Sequence, residues 1–211
     1  MSIADSLNKI LATIPDNVKL IAVSKTYPPE AVMEAYNAGQ RIFGESRPQE
    51  LVQKYEQLPK DIEWHFIGHL QTNKVKYIVP FVHLIHSVDS IRLFKEINKE
   101  AGKTQSTVNC LLQVHIAEEE SKFGFSAEEL ENFLNSDDFK SAGNIRICGL
   151  MGMATYTDDT EQVHKEFRGL KDLFNKLKIT YFTNNPDFKE LSMGMSGDYP
   201  IAIEEGATMV R

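Results

Sequence analysis

Short β-rich runs alternate with helical patterns along the whole chain, and this alternation limits the folds that the chain can adopt. The first run, residues 19–24, is apolar and β-branched, and a helix then opens at Pro28 and Pro29 and stops at Gly39. Seven further runs have the length and composition of strands, at residues 41–44, 63–68, 83–88, 108–116, 145–154, 190–194 and 207–210. Strands that alternate with helices predict a parallel sheet, because parallel neighbours need long crossover connections.

The number of repeats predicts that this parallel sheet closes on itself. The strands are continuous apolar runs, which is typical of parallel strands that are covered on both faces. A doubly wound open sheet is the alternative, but no G-x-G-x-x-G motif follows the first strand. The sequence therefore predicts one α/β domain over residues 1–211, a single (β/α)8 TIM-type barrel. We expect an extra N-terminal helix over residues 3–13 and a last strand that is cut short at the C-terminus.

The charge balance is acidic, with 23 Lys and Arg against 30 Asp and Glu, which gives a formal net charge of −7. Nucleic acids and anionic membranes bind basic surfaces, so we expect neither as a partner. The most apolar stretch, residues 77–88, is too short to span a bilayer, and the first residues lack the pattern of a secretion signal. These features favour a cytoplasmic protein, a monomer or weak dimer, with reduced buried thiols at Cys110 and Cys148.

Lys25 is the first candidate for chemistry, because it directly follows the first predicted strand and barrels of this type place reactive groups at the carboxyl ends of their strands. A lysine at the rim of an apolar core would be partly desolvated, which favours the neutral amine that attacks an aldehyde. The alternative is a lysine whose ammonium simply reaches the solvent. Position alone favours this second interpretation.

Ser196 and Gly197 form the second candidate group, between the seventh strand and a short helix. A hydroxyl and exposed backbone N–H groups in this place suit a phosphate, and the loops after strands seven and eight often bind phosphate in such barrels. An ordinary helix cap, with Ser196 at the N-cap, is an equally good interpretation. Together with Lys25, the pair points to a phosphate compound that carries an aldehyde.

Several other side chains near the predicted strand ends are weaker candidates. His65 and His69 lie four residues apart on the third strand and should point to the same side, with His69 beside a bound cofactor and His65 in the core. Too few further ligands are evident for a metal, so none is expected. Lys122 is either a solvated loop charge or a ligand contact. Two methionines fit core packing or contact with a bound ring, namely Met151 and Met193.

Several blocks of sequence resemble one known family almost from end to end. The longest are LIAVSKT at 20–26, WHFIGHLQTNK at 64–74, ELSMGMSGD at 190–198 and AIEEGATMVR at 202–211. They are similar to the pyridoxal phosphate homeostasis proteins (the YggS/PROSC family), which are related to the barrel domain of alanine racemase. The resemblance implies pyridoxal 5′-phosphate (PLP) held as a Schiff base on Lys25, with phosphate contacts at Ser196 and Gly197.

The resemblance also implies that Arg211 faces the pyridine nitrogen. A guanidinium stays protonated, so the ring nitrogen beside it does not readily hold a proton and the ring is a poorer electron sink. Two features depart from the family. Ser46 stands where the family usually has Asn, which weakens a contact with the ring substituent. The family continues with Ile-Gly-Thr after the arginine, and a chain that ends at Arg211 should retain the cofactor less tightly.

Two functions are compatible with these features. The first is intracellular storage and delivery of PLP, possible recipients being PLP-dependent enzymes in their apo form, without substantial catalysis. The alternative is a small PLP-dependent amino-acid racemase or lyase. A two-base racemase needs a second acid–base group, which alanine racemase takes from an added β-domain, and the barrel uses all 211 residues here. We therefore favour the first function. A phosphate-binding barrel without pyridoxal is a third hypothesis, which Lys25 disfavours.

Overall fold

The computed structural model describes residues 2–118 and 123–211. Within them, nine parallel strand segments form one sheet in the order β1-β9-β8-β7-β6-β5-β4-β3-β2. The segments are β1 Lys19–Leu20, β2 Ala22–Val23, β3 Ile42–Glu45, β4 Glu63–Phe66, β5 Leu84–Val88, β6 Val108–Val114, β7 Ile145–Gly152, β8 Glu190–Ser192 and β9 Met209–Val210.

The sheet closes because β1 and β2 are two halves of one strand. Only Ile21 separates them; β1 pairs with β9, whereas β2 pairs with β3. The Ile21 N–H donates to the Val210 carbonyl, which continues the pairing with β9 across the break. The chain therefore contributes eight strands to a parallel barrel, and the predicted fold class is confirmed.

Helices connect the strands and cover the outside of the barrel. They are α1 Ile3–Leu11, α2 Pro29–Asn37, α3 Pro48–Gln57, α4 Val75–Ile78, α5 Ile91–Lys103, α6 Ala127–Asn135, α7 Asp137–Lys140, α8 Thr160–Thr180 and α9 Tyr199–Glu204. Local sequence explains several of the helix starts. Ser2 with Asp5 and Ser126 with Glu129 form capping boxes at α1 and α6. The short helix α7 was not predicted.

The apolar residues form two clusters on opposite faces of the sheet. The larger one packs the strands against the helices and includes Trp64, Phe66 and Phe167. The smaller one consists of Ile21, Leu84, Leu111, Met151 and Met209. Since side chains alternate between the two faces of a strand, this small cluster fills part of the barrel interior. The strands also carry buried polar side chains, among them His65, His86 and Ser192.

The two thiols are in the reduced form, as predicted, but they are not equally buried. Cys110 is fully buried and Cys148 is partly buried. Burial raises the pKa of Cys110 well above its ordinary value and that of Cys148 to about 11, so both thiols stay protonated at neutral pH. Among the described residues, no helix is both long enough and apolar enough to cross a membrane.

Candidate functional site

The carboxyl ends of the strands form the mouth of the barrel, and Lys25 lies there in a turn beyond β2. Its side chain is exposed and makes no hydrogen bond or ion pair with any described residue. Of the two interpretations of Lys25, this exposure agrees with the one that position alone favours, a lysine that reaches the solvent, because the strand already ends at Val23. Thr26 has a φ of +67°, a rare conformation for a β-branched residue, so the turn needs support from its surroundings.

A buried ion pair supplies much of that support. Glu45 and Lys54 are almost completely buried, and Lys54 Nζ lies 2.5 Å from Glu45 Oε1. Lys54 also donates to the Ser24 carbonyl at 2.7 Å, and the Ser24 hydroxyl donates to Glu45 Oε1 at 2.7 Å. The Thr26 N–H donates to Glu50 Oε2 at 3.1 Å. Both sides of Lys25 are therefore held by α3 and β3.

Lys54 was missed by the sequence analysis, although its position in the helix carries a signal. It lies three residues after Leu51, and both residues are buried within α3. This spacing places the two on one face of α3, the face that packs on the barrel. A lysine on such a face requires a buried acceptor, and Glu45 at the end of β3 provides it.

Arg211 follows β9 and turns its guanidinium toward the ends of β7 and β8. Its Nη1 donates to Ser192 Oγ at 2.6 Å, and its Nη2 donates to the Gly152 carbonyl at 3.4 Å. The backbone N–H of Arg211 donates to the Gly194 carbonyl at 3.0 Å. Burial lowers the pKa of Arg211 to about 10, so the group is still a cation at neutral pH. At the mouth, Arg211 thus adds a fixed positive charge to the exposed amine of Lys25.

A chain of hydrogen bonds leads from Arg211 into the barrel interior. Ser192 Oγ lies 2.9 Å from His86 Nδ1, and His86 Nε2 lies 2.9 Å from His65 Nδ1. All three residues are fully buried. Burial lowers the pKa of His65 to about 3 and that of His86 well below its ordinary value, so both imidazoles are neutral at pH 7. The chain crosses the barrel from β8 to β5 and then to β4.

Ser196 and Gly197 lie exposed in the loop between β8 and α9. Among the described residues their backbone N–H groups have no acceptor, whereas the Met195 N–H donates to Asp198 Oδ1 at 2.5 Å. The residue before α9 is Asp198, so the alternative of Ser196 as N-cap was wrong. Gly194 has a φ of +92°, and a Cβ there would come within 2.6 Å of Ala202 Cβ. This glycine lets the loop pass close to α9.

His69 and Ser46 border the mouth on its other side. His69 Nδ1 lies 2.8 Å from Asp89 Oδ2, and the imidazole stacks on Phe123 with 4.1 Å between ring centroids. Ser46 follows β3 and is partly buried. The expectation that His65 and His69 share one side of a strand was wrong, because β4 ends at Phe66. His65 lies in the barrel interior, and His69 lies in an exposed loop.

The remaining candidates separate into three groups. Met151 belongs to the interior cluster, whereas Met193 is fully buried between the strands and the helices. Lys122 lies outside the described residues. Glu63, His65 and His83 gather at the opposite end of the barrel, where one ligand atom from each lies within 4.8 Å of the others. This group has a donor set that could hold a metal ion, so the expectation that further ligands are lacking was wrong.

The groups at the mouth suit a phosphorylated aldehyde. Lys25, Ser196 and Arg211 follow strands that are neighbours in the sheet, since β9 lies between β1 and β8. They bring together an amine, two N–H groups that have no acceptor among the described residues, and a partly buried guanidinium. Asp198 and Asp89 are unfavourable charges for a phosphate, and each has a partner: Asp198 Oδ1 accepts from the Met195 N–H, and Asp89 Oδ2 lies 2.8 Å from His69 Nδ1. The residues present therefore fit a compound that carries both an aldehyde and a phosphate.

Known proteins are similar to this chain in both sequence and fold. Residues 2–211 match the family model of the alanine racemase N-terminal domain. Two curated relatives have the name pyridoxal phosphate homeostasis protein. The one from Aquifex aeolicus is 44% identical and covers 92% of this chain and 83% of its own length. The one from Synechocystis is 39% identical and covers 97% of this chain and 92% of its own length.

Solved structures agree with these relationships. PipY from Synechococcus elongatus is 35% identical, and the match covers 100% of this chain and 97% of PipY. The TM-score is 0.93 for PipY without PLP and 0.90 for PipY with PLP bound. Alanine racemase from Bartonella henselae is 14% identical with a TM-score of 0.75 over 99% of this chain and 56% of the racemase, which shows a common fold.

The fold and the mouth thus define a single-barrel protein of the alanine racemase N-terminal type. Within that class, the chain belongs to the family of pyridoxal phosphate homeostasis proteins.

Proposed function

We propose that this chain binds PLP at the mouth of the barrel, as a Schiff base on Lys25, and serves intracellular PLP homeostasis by storing and delivering it. The observation that carries the proposal is the exposed Lys25 amine, which has no partner among the described residues and stands on a turn that buried groups hold in place. The names of the relatives and the PLP-bound structure of PipY support the same ligand.

Each group at the mouth has a distinct role in this proposal. Lys25 would hold PLP through a C=N bond between its amine and the aldehyde carbon, with the loss of one water molecule. The Ser196 hydroxyl and the N–H groups of Ser196 and Gly197 would donate to the phosphate. Arg211 would face the pyridine nitrogen and, being a cation, would disfavour a proton there. Ser46, His69 and Met151 would border the ring. Met193 packs in the apolar core and supports the loop from behind.

Arg211 also explains why the proposal favours a carrier over an enzyme. When bound, PLP supplies an electron sink for amino-acid chemistry, and that sink weakens when the ring nitrogen is unprotonated. Arg211 is held by Ser192, Gly152 and Gly194, so its charge is fixed in place. Catalysis by a racemase or lyase is the second candidate, and its support is the fold shared with alanine racemase.

The attachment is tested by reducing the PLP-loaded chain with borohydride and locating the modified lysine by mass spectrometry. We expect the label on Lys25, and we expect Lys25→Ala to lose the absorbance band of the Schiff base. Lys122→Ala is one control that should keep the band, and Lys165→Ala, which changes an exposed lysine of α8, is another. A label on Lys122 would contradict the role of Lys25, and a chain that retains no PLP would overturn the proposal as a whole.

The choice between carrier and enzyme needs a separate experiment. Loaded protein is incubated with L-alanine or D-alanine, and optical rotation is followed. We expect no change at an enzyme-like rate, and steady racemisation would overturn the carrier function. In a second assay, loaded chain is mixed with an apo-enzyme that requires PLP, and the recovery of that enzyme's activity is measured. Delivery predicts faster recovery than with Lys25→Ala incubated with the same PLP.

The proposal places the protein in the cytoplasm, where PLP-dependent enzymes are its recipients. It needs only one barrel, so a monomer or a weak dimer suffices. Sedimentation of the loaded and unloaded chain measures this point, and a tight dimer that forms only with PLP would contradict it.

A further inference from the structure

Three side chains with metal-binding atoms meet at the amino end of the barrel, far along the strands from Lys25. Glu63 and His65 lie two residues apart on β4 and therefore point to the same face of the sheet. His83 directly precedes β5, which pairs with β4 so that His65 lies opposite Leu84. Neighbouring strands thus bring one carboxylate and two imidazoles together.

The distances in this group are close to those of a coordination sphere. His83 Nε2 lies 3.4 Å from Glu63 Oε2, and one ligand atom of each residue lies within 4.8 Å of the others. Tetrahedral zinc with bonds of about 2.1 Å separates its ligand atoms by about 3.4 Å. Glu63 and His83 have half-exposed side chains that can rotate, so a shift of at most about 1.4 Å brings the ligand atoms to the separation that zinc needs.

His65 provides a second and independent observation. Its side chain is 1% exposed, and its Nε2 atom has no hydrogen-bond partner among the described residues. A buried polar atom without a partner has lost its hydrogen bond to water and gained none in return, so native structures seldom leave one unused. An ordinary ion pair between His83 and Glu63 explains those two residues but leaves His65 Nε2 unexplained.

The hydrogen bonds on the other side of His65 resemble the support that metal-binding histidines usually have. Two neutral arrangements fit the 2.9 Å distances from His65 to His86 and from His86 to Ser192. In one, Ser192 donates to His86, His86 donates to His65, and His65 keeps a buried N–H without an acceptor. In the other, His65 Nδ1–H donates to His86, and His65 Nε2 presents a lone pair. The second arrangement orients the imidazole for a metal.

The positive charge of Lys19 would repel a bound cation, but it is already paired with an acidic side chain. Lys19 lies close enough to contribute to the lowered pKa of His65. Its ammonium is 2.6 Å from Glu190 Oε1, and the second oxygen of Glu190 accepts from Thr208. Lys19 therefore belongs to a separate ion pair, and the Glu63 carboxylate gives the group a negative charge that attracts a cation.

We propose that Glu63, His65 and His83 bind a divalent transition-metal ion, with zinc as the expected ion and solvent completing the coordination. Two imidazoles and one carboxylate are a donor set that zinc prefers, and three protein ligands leave one position open. The site is separate from the mouth, so this proposal holds or fails independently of PLP binding.

The test is calorimetric titration of the tag-free full chain with Zn²⁺, with a count of bound zinc after dialysis. We expect one Zn²⁺ per chain, and we expect Glu63→Gln and His83→Gln each to weaken binding at least about tenfold. His164→Gln is the matched control, because His164 also faces two carboxylates, with Nδ1 2.8 Å from Glu205 Oε1. It should bind zinc as the unaltered chain does.

Two further measurements examine His65 without substituting it, because substitution of this buried residue risks a folding defect. Co²⁺ should give visible absorption typical of a four-coordinate site, and His83→Gln should abolish it. Imidazole ¹⁵N spectra should show Zn²⁺ on His65 Nε2 and a proton on His65 Nδ1. Binding that His164→Gln weakens as much as His83→Gln, or zinc bound without any change at His65, would overturn the proposal.

Discussion

The two ends of the barrel position their polar groups by different means. At the mouth, Lys25 and Ser196 lie on loops beyond the strands, and buried side chains or a special glycine conformation hold these loops. At the amino end, Glu63 and His65 belong to β4 itself, so the strand ladder positions them. A loop residue needs its own anchor, whereas a strand residue shares the stability of the sheet. Removing an anchor should therefore affect the mouth and spare the amino end.

The strongest test of this difference removes Lys54, the anchor beneath Lys25. Lys54→Met leaves the Glu45 carboxylate buried without its cation, which should cost about 3–5 kcal/mol of unfolding free energy in urea. The Ser24 carbonyl also loses a donor, so PLP binding at Lys25 should weaken more than Zn²⁺ binding. The double variant Lys54→Met with Glu45→Leu should recover most of the stability. A loss below about 1 kcal/mol in the single variant would contradict this assignment.

Ser192 is the residue through which the two ends are connected. Ser192→Ala removes the hydroxyl that lies between Arg211 Nη1 and His86 Nδ1, and it leaves both buried groups short of a partner. We expect a loss of about 1–3 kcal/mol in urea unfolding. Ser87→Ala is the matched control, because the buried Ser87 hydroxyl has no partner among the described residues. Equal losses in the two variants would show that the chain of hydrogen bonds contributes nothing.

Gly194 tests the loop anchor on the phosphate side. Gly194→Ala forces an L-residue to a φ of +92° and brings Cβ within 2.6 Å of Ala202 Cβ. We expect a loss of about 1–2 kcal/mol, with weaker retention of PLP. At Gly197 an added Cβ meets nothing within 4 Å, so Gly197→Ala should change stability little. Thermal unfolding of both variants measures the contrast, and an unstable Gly197→Ala would refute it.

The sequence predicts the fold more completely than it predicts the site, and the reason is physical. Strand and helix alternation is local, so eight strands and most helices are visible in it. Strand ends depend on neighbours: β4 stops at Phe66, and a Cβ at Gly68 would come within 2.4 Å of the Ser46 carbonyl. His69 consequently leaves the strand, against expectation.

The connections inside the barrel are the least predictable part. His86 and Ser192 are 106 positions apart in sequence, and only closure of the sheet brings them together. The same holds for His83 and Glu63, which become neighbours through the pairing of β4 with β5. Lys54 differs, since its spacing of three residues from the apolar Leu51 within α3 indicates a lysine on the buried face of the helix. The period of a helix thus indicates which of its residues are buried, whereas the sequence of a single strand does not indicate which distant residues it will contact.

The smallest expected effect concerns Glu50, which accepts from the Thr26 N–H next to Lys25. That hydrogen bond is the main cause of the lowered pKa of Glu50, and Arg47 and Lys54 contribute in the same direction. A carboxyl group with a lowered folded-state pKa stabilises the fold above its ordinary value of 4.5, and this contribution is lost as the pH falls through the lowered value. Glu50→Gln should therefore cost at most about 1 kcal/mol at pH 7, and the difference from the unaltered chain should shrink below pH 4.5. Urea unfolding at several pH values measures it. A difference that grows in acid would mean that Glu50 does not hold the Lys25 turn through its charge.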